Sequence, residues 1–241
     1  MESSPVSEII GSGEYSMAIF GYAVFAYVLI ALLSYFLGCF NGALVISKRF
    51  YRDDVRSHGS GNAGLTNFYR TYGAKYALFV IGCDMGKAAL SVGVSAVVSH
   101  LFQMDPITAR YWSGVWCVVG HVFPITAKFK GGKGILCGGT LLLLIDWRIA
   151  LVSWGLFLVL WFVTRYVSLG SIAAAVAFPI TTYLFYWNDG GGFWGNIKLP
   201  FSLLIAFLIL WAHRENIKRL LNGTENRFHF HIDAPKTEEK Q

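Results

Sequence analysis

Long apolar segments separated by short polar links dominate the pattern of residues along the chain. The apolar segments cover residues 17–46, 76–99, 111–126, 134–147, 148–164, 169–187 and 199–213. A helix needs about 20 predominantly apolar residues to cross the hydrocarbon core of a bilayer. The pattern therefore predicts an all-α, polytopic membrane protein, and nothing in it divides residues 1–241 into more than one domain.

The fourth and fifth segments form either one long helix or two short crossings that turn at Asp146-Trp147-Arg148. A single helix would place Asp146 and Arg148 near the middle of the bilayer, where each charged residue costs about 2.5–3.5 kcal/mol. A turn places both residues at an interface instead. Each half is then about 21–26 Å long at a rise of 1.5 Å per residue. We therefore predict two crossings.

The distribution of Lys and Arg predicts the orientation in the membrane. With seven crossings and the N-terminus outside, most of the 20 basic residues lie in the inner links and the inner tail, as the positive-inside rule requires. Six crossings would place the basic tail outside. We therefore predict seven transmembrane helices, a polar extracellular N-terminus over residues 1–16 and a polar cytoplasmic tail over residues 233–241.

The composition excludes other classes of protein. Hydrophobic residues make up 55% of the chain and charged residues 14%, whereas soluble domains contain roughly 25% charged residues and disordered chains are poor in aromatic residues. The net charge is +6, and the Lys and Arg residues collect in the polar links between the apolar segments. We therefore expect no nucleic-acid partner. The four cysteines form no Cys-x-x-Cys motif, so we expect no zinc site or disulfide framework, and no metal or cofactor.

The first of three polar segments is HGSGNAGLTNFYR, residues 58–70. Gly59 and Gly61 allow successive backbone N–H groups to point at one anion, and a following helix N-terminus adds partial positive charge. The side-chain donors are Ser60, Asn62, Thr66, Asn67 and Arg70. The segment is either a phosphate-binding loop or a flexible interfacial loop with a capping Ser or Thr.

The second polar segment covers residues 120–134 and contains GHVFP and KFKGGKG. It offers the lysines Lys128, Lys130 and Lys133 and the glycines Gly131, Gly132 and Gly134. Glycines between lysines suit the close approach of a phosphate, with each lysine acting as a point charge. The alternative is a tight turn whose charges set the topology. Considered alone, His121 is typical of a hydrogen-bonded core histidine.

The third polar segment is HRENIKRLLNGTE, residues 213–225. At helical spacing His213 and Asn216 share one face and can contact one ligand, whereas Arg214 and Lys218 form a line suited to lipid headgroups. A basic helix bound to anionic lipid is the alternative interpretation.

An acid and a base lie inside the second apolar segment, where Asp84 and Lys87 are three residues apart. Ionisable residues within a membrane span usually mark a functional site. A structural ion pair that faces the bundle interior explains the same pattern.

Together, the three polar segments resemble the PlsY family of bacterial acyl-phosphate:glycerol-3-phosphate acyltransferases. The matching stretches are GSGNAGLTNFYRTYG, GHVFPITAKFKGGKG and HRENIKRLLNGTENRF, in that order, and LSYFLGCFNGALVISKRF is similar to the family's first helix. The chain departs from the family pattern at Ala63, where Pro is usual, at Leu65 and at residues 135–137, where small residues are usual. It is also longer, by its N-terminal extension, the glycine-rich stretch 189–195 and the tail.

The resemblance implies transfer of a fatty acyl group from acyl phosphate to the sn-1 hydroxyl of glycerol 3-phosphate. The products are 1-acyl-glycerol 3-phosphate (lysophosphatidic acid) and phosphate, in the first committed step of phospholipid synthesis. It implies a multi-pass protein of the bacterial inner or plasma membrane, with membrane lipids as partners and the active site on the cytoplasmic side. The sequence does not determine the oligomeric state, and we expect a monomer.

The residues and the resemblance together nominate a set of site residues. We expect catalytic roles for Ser60, Asn62, Arg70, His213 and Asn216. We expect substrate binding by Gly59, Gly61, Thr66, Asn67, Lys87, His121, Lys128, Gly131, Gly132, Lys133, Gly134 and Arg214, and structural roles for Asp84 and Glu225. His213 is the candidate base, and a substrate phosphate that takes the proton itself is the alternative.

Two other classes of function share some of these features. A small membrane transporter of a phosphate ester would have the same spans and basic loops, but it should place polar residues near mid-membrane at broken helices. Only Asp84 and Lys87 meet that description. A lipid-binding scaffold would need the basic helix but not the loop over residues 60–67.

Overall fold

The computed structural model describes residues 5–187 and 198–228, with side chains from residue 20 onward. Within these ranges the chain is helical and contains no strand, which confirms the all-α class. The α-helices are α1 (Pro5–Cys39), α2 (Gly42–Ile46), α3 (Leu65–Tyr72), α4 (Ala77–Leu101), α5 (Pro106–Val122), α6 (Ile135–Ile145), α7 (Trp147–Thr164), α8 (Val167–Tyr186), α9 (Lys198–Ala212) and α10 (Arg214–Leu221). The stretch 189–195 and the tail 233–241 lie outside the described residues.

Within the described residues, four helices are long and apolar enough to cross a membrane, namely residues Phe20–Cys39 of α1 and the whole of α4, α7 and α8. Helices α6 and α9 are apolar but shorter, with 11 and 15 residues, and α5 has 17. These seven helices follow the seven apolar segments in order. Because length and composition qualify four of them, the count of seven crossings and the orientation of the termini stay predictions.

Large apolar side chains are exposed on the outer faces of these helices. Leu78 on α4 is 76% exposed and Val163 on α7 is 77% exposed. A soluble monomer rarely exposes apolar patches larger than a few hundred Å². Lipid is the environment in which this surface is stable.

The boundaries of the first segment differ from the prediction. The apolar run 17–46 contains an interruption, because α1 ends at Cys39 and α2 begins at Gly42. Asn41 caps α2 by accepting a hydrogen bond from the Leu44 N–H at 3.0 Å. At the other end, α1 begins at Pro5, so the helix includes most of the N-terminus that was expected to be a polar extension.

The predicted turn between the fourth and fifth segments is confirmed. Helix α6 ends at Ile145, and Asp146 caps α7 by accepting from the Arg148 N–H at 2.9 Å. The Arg148 guanidinium donates to the two carboxylate oxygens at 3.1 and 2.8 Å, and the Tyr186 hydroxyl donates to one of them. Burial disfavours the carboxylate, but these hydrogen bonds outweigh burial and lower the pKa of Asp146 to about 2.

Helix α5 is central to the bundle, since it contacts α1, α4, α6 and α9. Close approach to α1 depends on glycines, because a Cβ on Gly120 would lie 2.2 Å from the Tyr35 carbonyl oxygen. The last turn of α5 contains His121. The packing of α5 therefore determines where the second polar segment begins.

We expect Asp146→Asn to destabilise the bundle by about 1–3 kcal/mol, since it removes the charged partner of Arg148 from a mostly buried site. The melting temperature should fall by about 2–4 °C for each kcal/mol in a chain of this size. A thiol-reactive fluorophore measures this in detergent, because Cys117 and Cys137 are buried until the protein unfolds. Glu215→Gln is the control, with a side chain that is 57% exposed. Equal melting temperatures for the two variants would contradict the assignment.

Candidate active site

A cavity of about 550 Å³ lies where the three polar segments meet. The first segment contributes Ser60, Asn62, Thr66, Asn67 and Arg70 to its lining, the second His121, Lys133 and Gly134, and the third His213, Asn216, Arg219 and Glu225. These residues are far apart in sequence. The fold brings most of the predicted site residues to one place, and the role of each stays a prediction.

The loop before α3 is shaped by Asn67, whose side chain is buried. Asn67 Oδ1 accepts from the Ser60 N–H at 2.9 Å, and Nδ2 donates to the carbonyls of Val55 and His58 at 2.9 and 3.0 Å. Gly59 has a φ of +54°, and a Cβ there would lie 2.4 Å from Asn67 Oδ1. Asn67 borders the cavity, but its amide hydrogen-bonds the loop instead of facing a ligand.

Three side chains of this loop are available to a ligand. Ser60, Asn62 and Thr66 line the cavity, and within residues 5–187 and 198–228 their side chains form no hydrogen bond with the protein. Gly61 has a φ of +69°, which allows the chain to turn between Ser60 and Asn62. The loop thus presents two hydroxyls and one amide to the cavity.

The second segment packs tightly against the end of α5. The N–H groups of Gly131 and Gly132 donate to the carbonyls of Val122 and His121, both at 3.1 Å. A Cβ on Gly132 would lie 2.2 Å from His121 Nε2 and 2.8 Å from the Ala63 carbonyl oxygen. These two glycines were expected to bind substrate, whereas the structure uses their N–H groups within the protein. Their contribution is the close packing of two loops.

Lys133 extends from this segment toward the third one, and its Nζ donates to Asn216 Oδ1. Burial lowers the pKa of Lys133 to about 8; Glu225 opposes the shift, and Arg219 and Arg70 add to it. A lysine with this pKa is still mostly protonated near neutral pH. Its charge is poorly compensated, as suits a site for an anion.

Glu225 organises the third segment. Its Oε1 accepts from Ser168 Oγ at 2.9 Å and from Asn216 Nδ2 at 2.8 Å, and its Oε2 accepts from Arg219 Nε at 2.8 Å. Burial disfavours its charge, but these three hydrogen bonds outweigh burial and lower its pKa. Because Asn216 Nδ2 is bound to Glu225, Oδ1 faces Lys133. These contacts agree with the structural role expected for Glu225.

His213 lies at the start of α10 and is buried. Its Nδ1 is 2.8 Å from the Ile209 carbonyl oxygen, and a carbonyl only accepts, so Nδ1 holds the ring proton. Burial, with the nearby Lys133 ammonium, lowers the pKa of His213 to about 4. His213 is therefore neutral at physiological pH and has a lone pair on Nε2.

Arg70 is half-buried at the rim of the cavity, where its Nη2 donates to the Asn226 carbonyl at 3.1 Å. The described lining contains the cations Arg70, Lys133 and Arg219 and the anions Glu225 and Asp84, and the charge of Asp84 is compensated by Lys87 at 2.9 Å. The electrostatic balance of the described lining therefore favours negatively charged ligands.

Seven of the predicted substrate-binding residues do not line this cavity, namely the glycines Gly59, Gly61, Gly131 and Gly132 and the basic residues Lys87, Lys128 and Arg214. Lys87 is buried beside it in an ion pair with Asp84 at 2.9 Å. Lys128 lies in a separate surface cavity of about 540 Å³. The Arg214 guanidinium lies 4.1 Å from the centre of the Trp211 ring, on the exposed side of α10.

The sequence did not single out Ser168, which lines the cavity and binds Glu225. It lies in an apolar helix, where a serine is common and gives no signal of its own. Arg219 is likewise absent from the predicted site residues, although it lines the cavity. Its bond to Glu225 depends on a turn that the sequence pattern does not specify.

An apolar arm extends the cavity between helices α6 to α9. It is lined by Leu142, Trp154, Phe157, Phe178, Ile205 and Ile209. On α6, Gly138 and Gly139 leave room for this arm, since a Cβ on Gly139 would lie 3.0 Å from Trp154 Nε1. The site therefore joins a cationic end, suited to phosphate, to an apolar arm, suited to a hydrocarbon chain.

Comparison with known proteins gives one family. A family model described as glycerol-3-phosphate acyltransferase matches residues 28–223. A protein of that name from Mycoplasmopsis agalactiae is 36% identical over 231 residues, which cover 86% of this chain and 96% of the relative. Another from Salinibacter ruber is 39% identical over 208 residues, which cover 82% of this chain and 90% of the relative.

Solved structures agree with these relatives. A crystal structure of PlsY, an integral membrane glycerol 3-phosphate acyltransferase, in its glycerol 3-phosphate form is similar with a TM-score of 0.73 and 31% identity, covering 84% of this chain and 96% of that chain. The lysophosphatidic acid form gives a TM-score of 0.70 and 30% identity, covering 85% and 96% of the two chains. The resemblance to the PlsY family is thereby confirmed: this chain is an integral membrane protein that belongs to the glycerol-3-phosphate acyltransferase family.

Proposed function

We propose that this protein transfers a fatty acyl group from acyl phosphate to the sn-1 hydroxyl of glycerol 3-phosphate, giving 1-acyl-glycerol 3-phosphate and phosphate. The observation that supports this most directly is the joined cavity, with cations at one end and the apolar arm at the other. Both substrates have a phosphate, and one of them also has a hydrocarbon chain. The family relationship makes glycerol 3-phosphate the expected acceptor.

The reaction needs no covalent enzyme intermediate, because an acyl phosphate is already an activated mixed anhydride. The sn-1 oxygen attacks the carbonyl carbon, the bond from that carbon to the phosphate oxygen breaks, and the hydroxyl proton leaves with a base. Holding the hydroxyl close to the carbonyl contributes up to about 7–11 kcal/mol in well-oriented reactions. Ser60, Asn62 and nearby N–H groups are placed to stabilise the oxyanion that develops.

The protonation state of His213 indicates which group takes the proton of the sn-1 hydroxyl. With a pKa of about 4, neutral His213 accepts a hydrogen bond from the sn-1 hydroxyl through Nε2. It is a weaker base than phosphate, since even a phosphate ester has its second pKa at about 6. We infer that His213 orients the hydroxyl and that the departing phosphate is the final proton acceptor.

The proposal includes the remaining expectations from the sequence. The chain forms a single domain of seven crossings in a bacterial inner or plasma membrane, with the N-terminus outside and the active site on the cytoplasmic side. It works as a monomer without a cofactor. A transporter of a phosphate ester is the alternative function; against it, Asp84 and Lys87 are each about 2% exposed and neutralise each other.

Phosphate release by the purified protein tests the reaction. Palmitoyl phosphate is supplied with and without glycerol 3-phosphate. Acyl-CoA and an acyl carrier protein thioester serve as comparison donors, for which release of the free thiol is measured instead of phosphate. Release that requires glycerol 3-phosphate and palmitoyl phosphate supports the proposal. No release with any donor, together with flux of glycerol 3-phosphate into vesicles, would support the transporter instead.

We expect Ser60→Ala to lower kcat by roughly 100- to 1,000-fold, which is the usual effect of removing one oxyanion donor. The fold should persist, since the Ser60 hydroxyl has no partner among the described residues. Ser57→Ala is the matched control, because the Ser57 hydroxyl donates to the Asp54 carbonyl at 2.7 Å outside the main cavity. Equal rates for both variants would remove Ser60 from the mechanism.

The pKa of Lys133 predicts a pH dependence. Lys133 is protonated below about pH 8 and loses its charge as the pH rises, so kcat/KM for glycerol 3-phosphate should fall above that value. The substrate does not cause this fall, because a phosphate ester has its second pKa near 6. The kinetic profile of the free enzyme, measured from about pH 6 to about pH 10, reports the ionisation.

Lys133→Arg tests the assignment, because arginine stays charged over the whole range. The variant should be slower at neutral pH, since the side-chain geometry changes, but its alkaline fall should disappear. Lys218→Gln should retain the fall, because Lys218 is 69% exposed and pairs with Glu215. A fall that persists in Lys133→Arg would mean that another group titrates.

A further inference from the structure

Lys87 forms a buried cluster where α1, α4 and α5 meet. Its Nζ lies 2.9 Å from Asp84 Oδ1, 2.8 Å from the Phe40 carbonyl oxygen and 2.6 Å from His121 Nδ1. The Gly38 carbonyl oxygen is slightly farther away, at 3.2 Å. The ammonium thus contacts the end of α1, its own helix and the last turn of α5.

Stability alone does not explain such a pair. The side chains of Lys87 and Asp84 are each 2% exposed, and the desolvation of a buried ion pair often cancels its Coulombic attraction. In other proteins, replacing a buried ion pair by apolar residues of similar volume is often neutral or stabilising. The pair therefore suggests a task besides stability, and its contact with His121 identifies the residue on which it acts.

The contact with Lys87 determines where the ring proton of His121 lies. An ammonium only donates hydrogen bonds, so His121 Nδ1 must be the acceptor. In the neutral ring the proton is then on Nε2. This is the opposite tautomer from His213, whose Nδ1 is bound to a carbonyl oxygen.

His121 Nε2 lies on the side of the ring toward Gly132, since a Cβ on that glycine would be 2.2 Å from it. His121 is 3% exposed and lines the main cavity with Lys133. Among the residues that the structure describes, Nε2 has no hydrogen-bond partner. Because His121 lines the cavity, a ligand oxygen there would accept a hydrogen bond from this N–H.

We propose that Lys87 is a positioning residue that holds His121 in its Nε2–H tautomer, so that His121 donates a hydrogen bond to a substrate phosphate in the cavity. The proposal rests on the proposed function for the identity of the ligand. Lys87 itself contacts no substrate. Its effect on catalysis passes through the imidazole ring.

The tautomer is measured directly by ¹⁵N NMR of histidine-labelled protein in lipid, without substrate. His121→Gln assigns the signal by its disappearance. In the wild type, His121 should show a protonated Nε2 and an unprotonated Nδ1. In Asp84→Leu/Lys87→Met, which replaces the ion pair by apolar residues, this preference should be lost. A protonated Nδ1 in the wild type would overturn the proposal.

A double-mutant cycle separates positioning from a general structural effect. Asp84→Leu/Lys87→Met and His121→Gln should each lower kcat/KM by roughly 10- to 100-fold, as for the loss of a hydrogen bond to a charged group. The loss of the ion pair should add nothing in the His121→Gln background, because residues that act through one contact are not additive. Independent, additive losses would overturn the proposal.

Two further measurements distinguish a failure of this proposal from a failure of the proposed function. Lys87→Arg, which can still donate to Nδ1, should retain the tautomer and recover part of the activity. KM is determined separately for glycerol 3-phosphate and palmitoyl phosphate, and the substrate whose KM rises identifies the phosphate that His121 contacts. If the wild type shows no acyl transfer but the expected tautomer, the proposed function fails while the positioning of His121 by Lys87 stands.

Discussion

The cost of burying charge constrains this structure more than any other interaction. Buried acids are paired locally: Asp84 with Lys87, Asp146 with Arg148, and Glu225 with Arg219. Pairing leaves the described cavity lining with an excess of positive charge. In a membrane protein, where uncompensated charge is expensive, such an excess indicates a functional site.

The two glycine-containing loops pack against each other through one carbonyl group. The Ala63 carbonyl of the first loop accepts from Asn41 Nδ2 at 2.9 Å, and Gly132 of the second loop packs against that same carbonyl. Asn41 lies in the interruption between α1 and α2, next to the carbonyls that Lys87 contacts. The positions of both loops therefore depend on the break in the first apolar segment.

The sequence predicted the order of the helices, the turn at Asp146 and the three segments that meet at the cavity, because hydropathy and charge are local signals. It did not predict the end of α1 at Cys39, since the run 17–46 stays apolar and the break depends on tertiary contacts of Asn41 and Lys87. Asn67 was expected to face the ligand, but its amide binds three loop groups. Which groups an amide side chain binds depends on the folded conformation of the loop, and the sequence pattern does not specify that conformation.

The two histidines of the cavity show how one residue type serves two tasks. A carbonyl partner places the proton of His213 on Nδ1 and leaves Nε2 as an acceptor, which suits a hydroxyl. An ammonium partner requires His121 Nδ1 to accept and leaves Nε2 as a donor, which suits a phosphate oxygen. Neither difference is visible in the sequence, because it resides in the partner of each ring. The chemistry of the site therefore depends on the groups that hold the two rings, which are the Ile209 carbonyl in α9 and the Lys87 ammonium in α4.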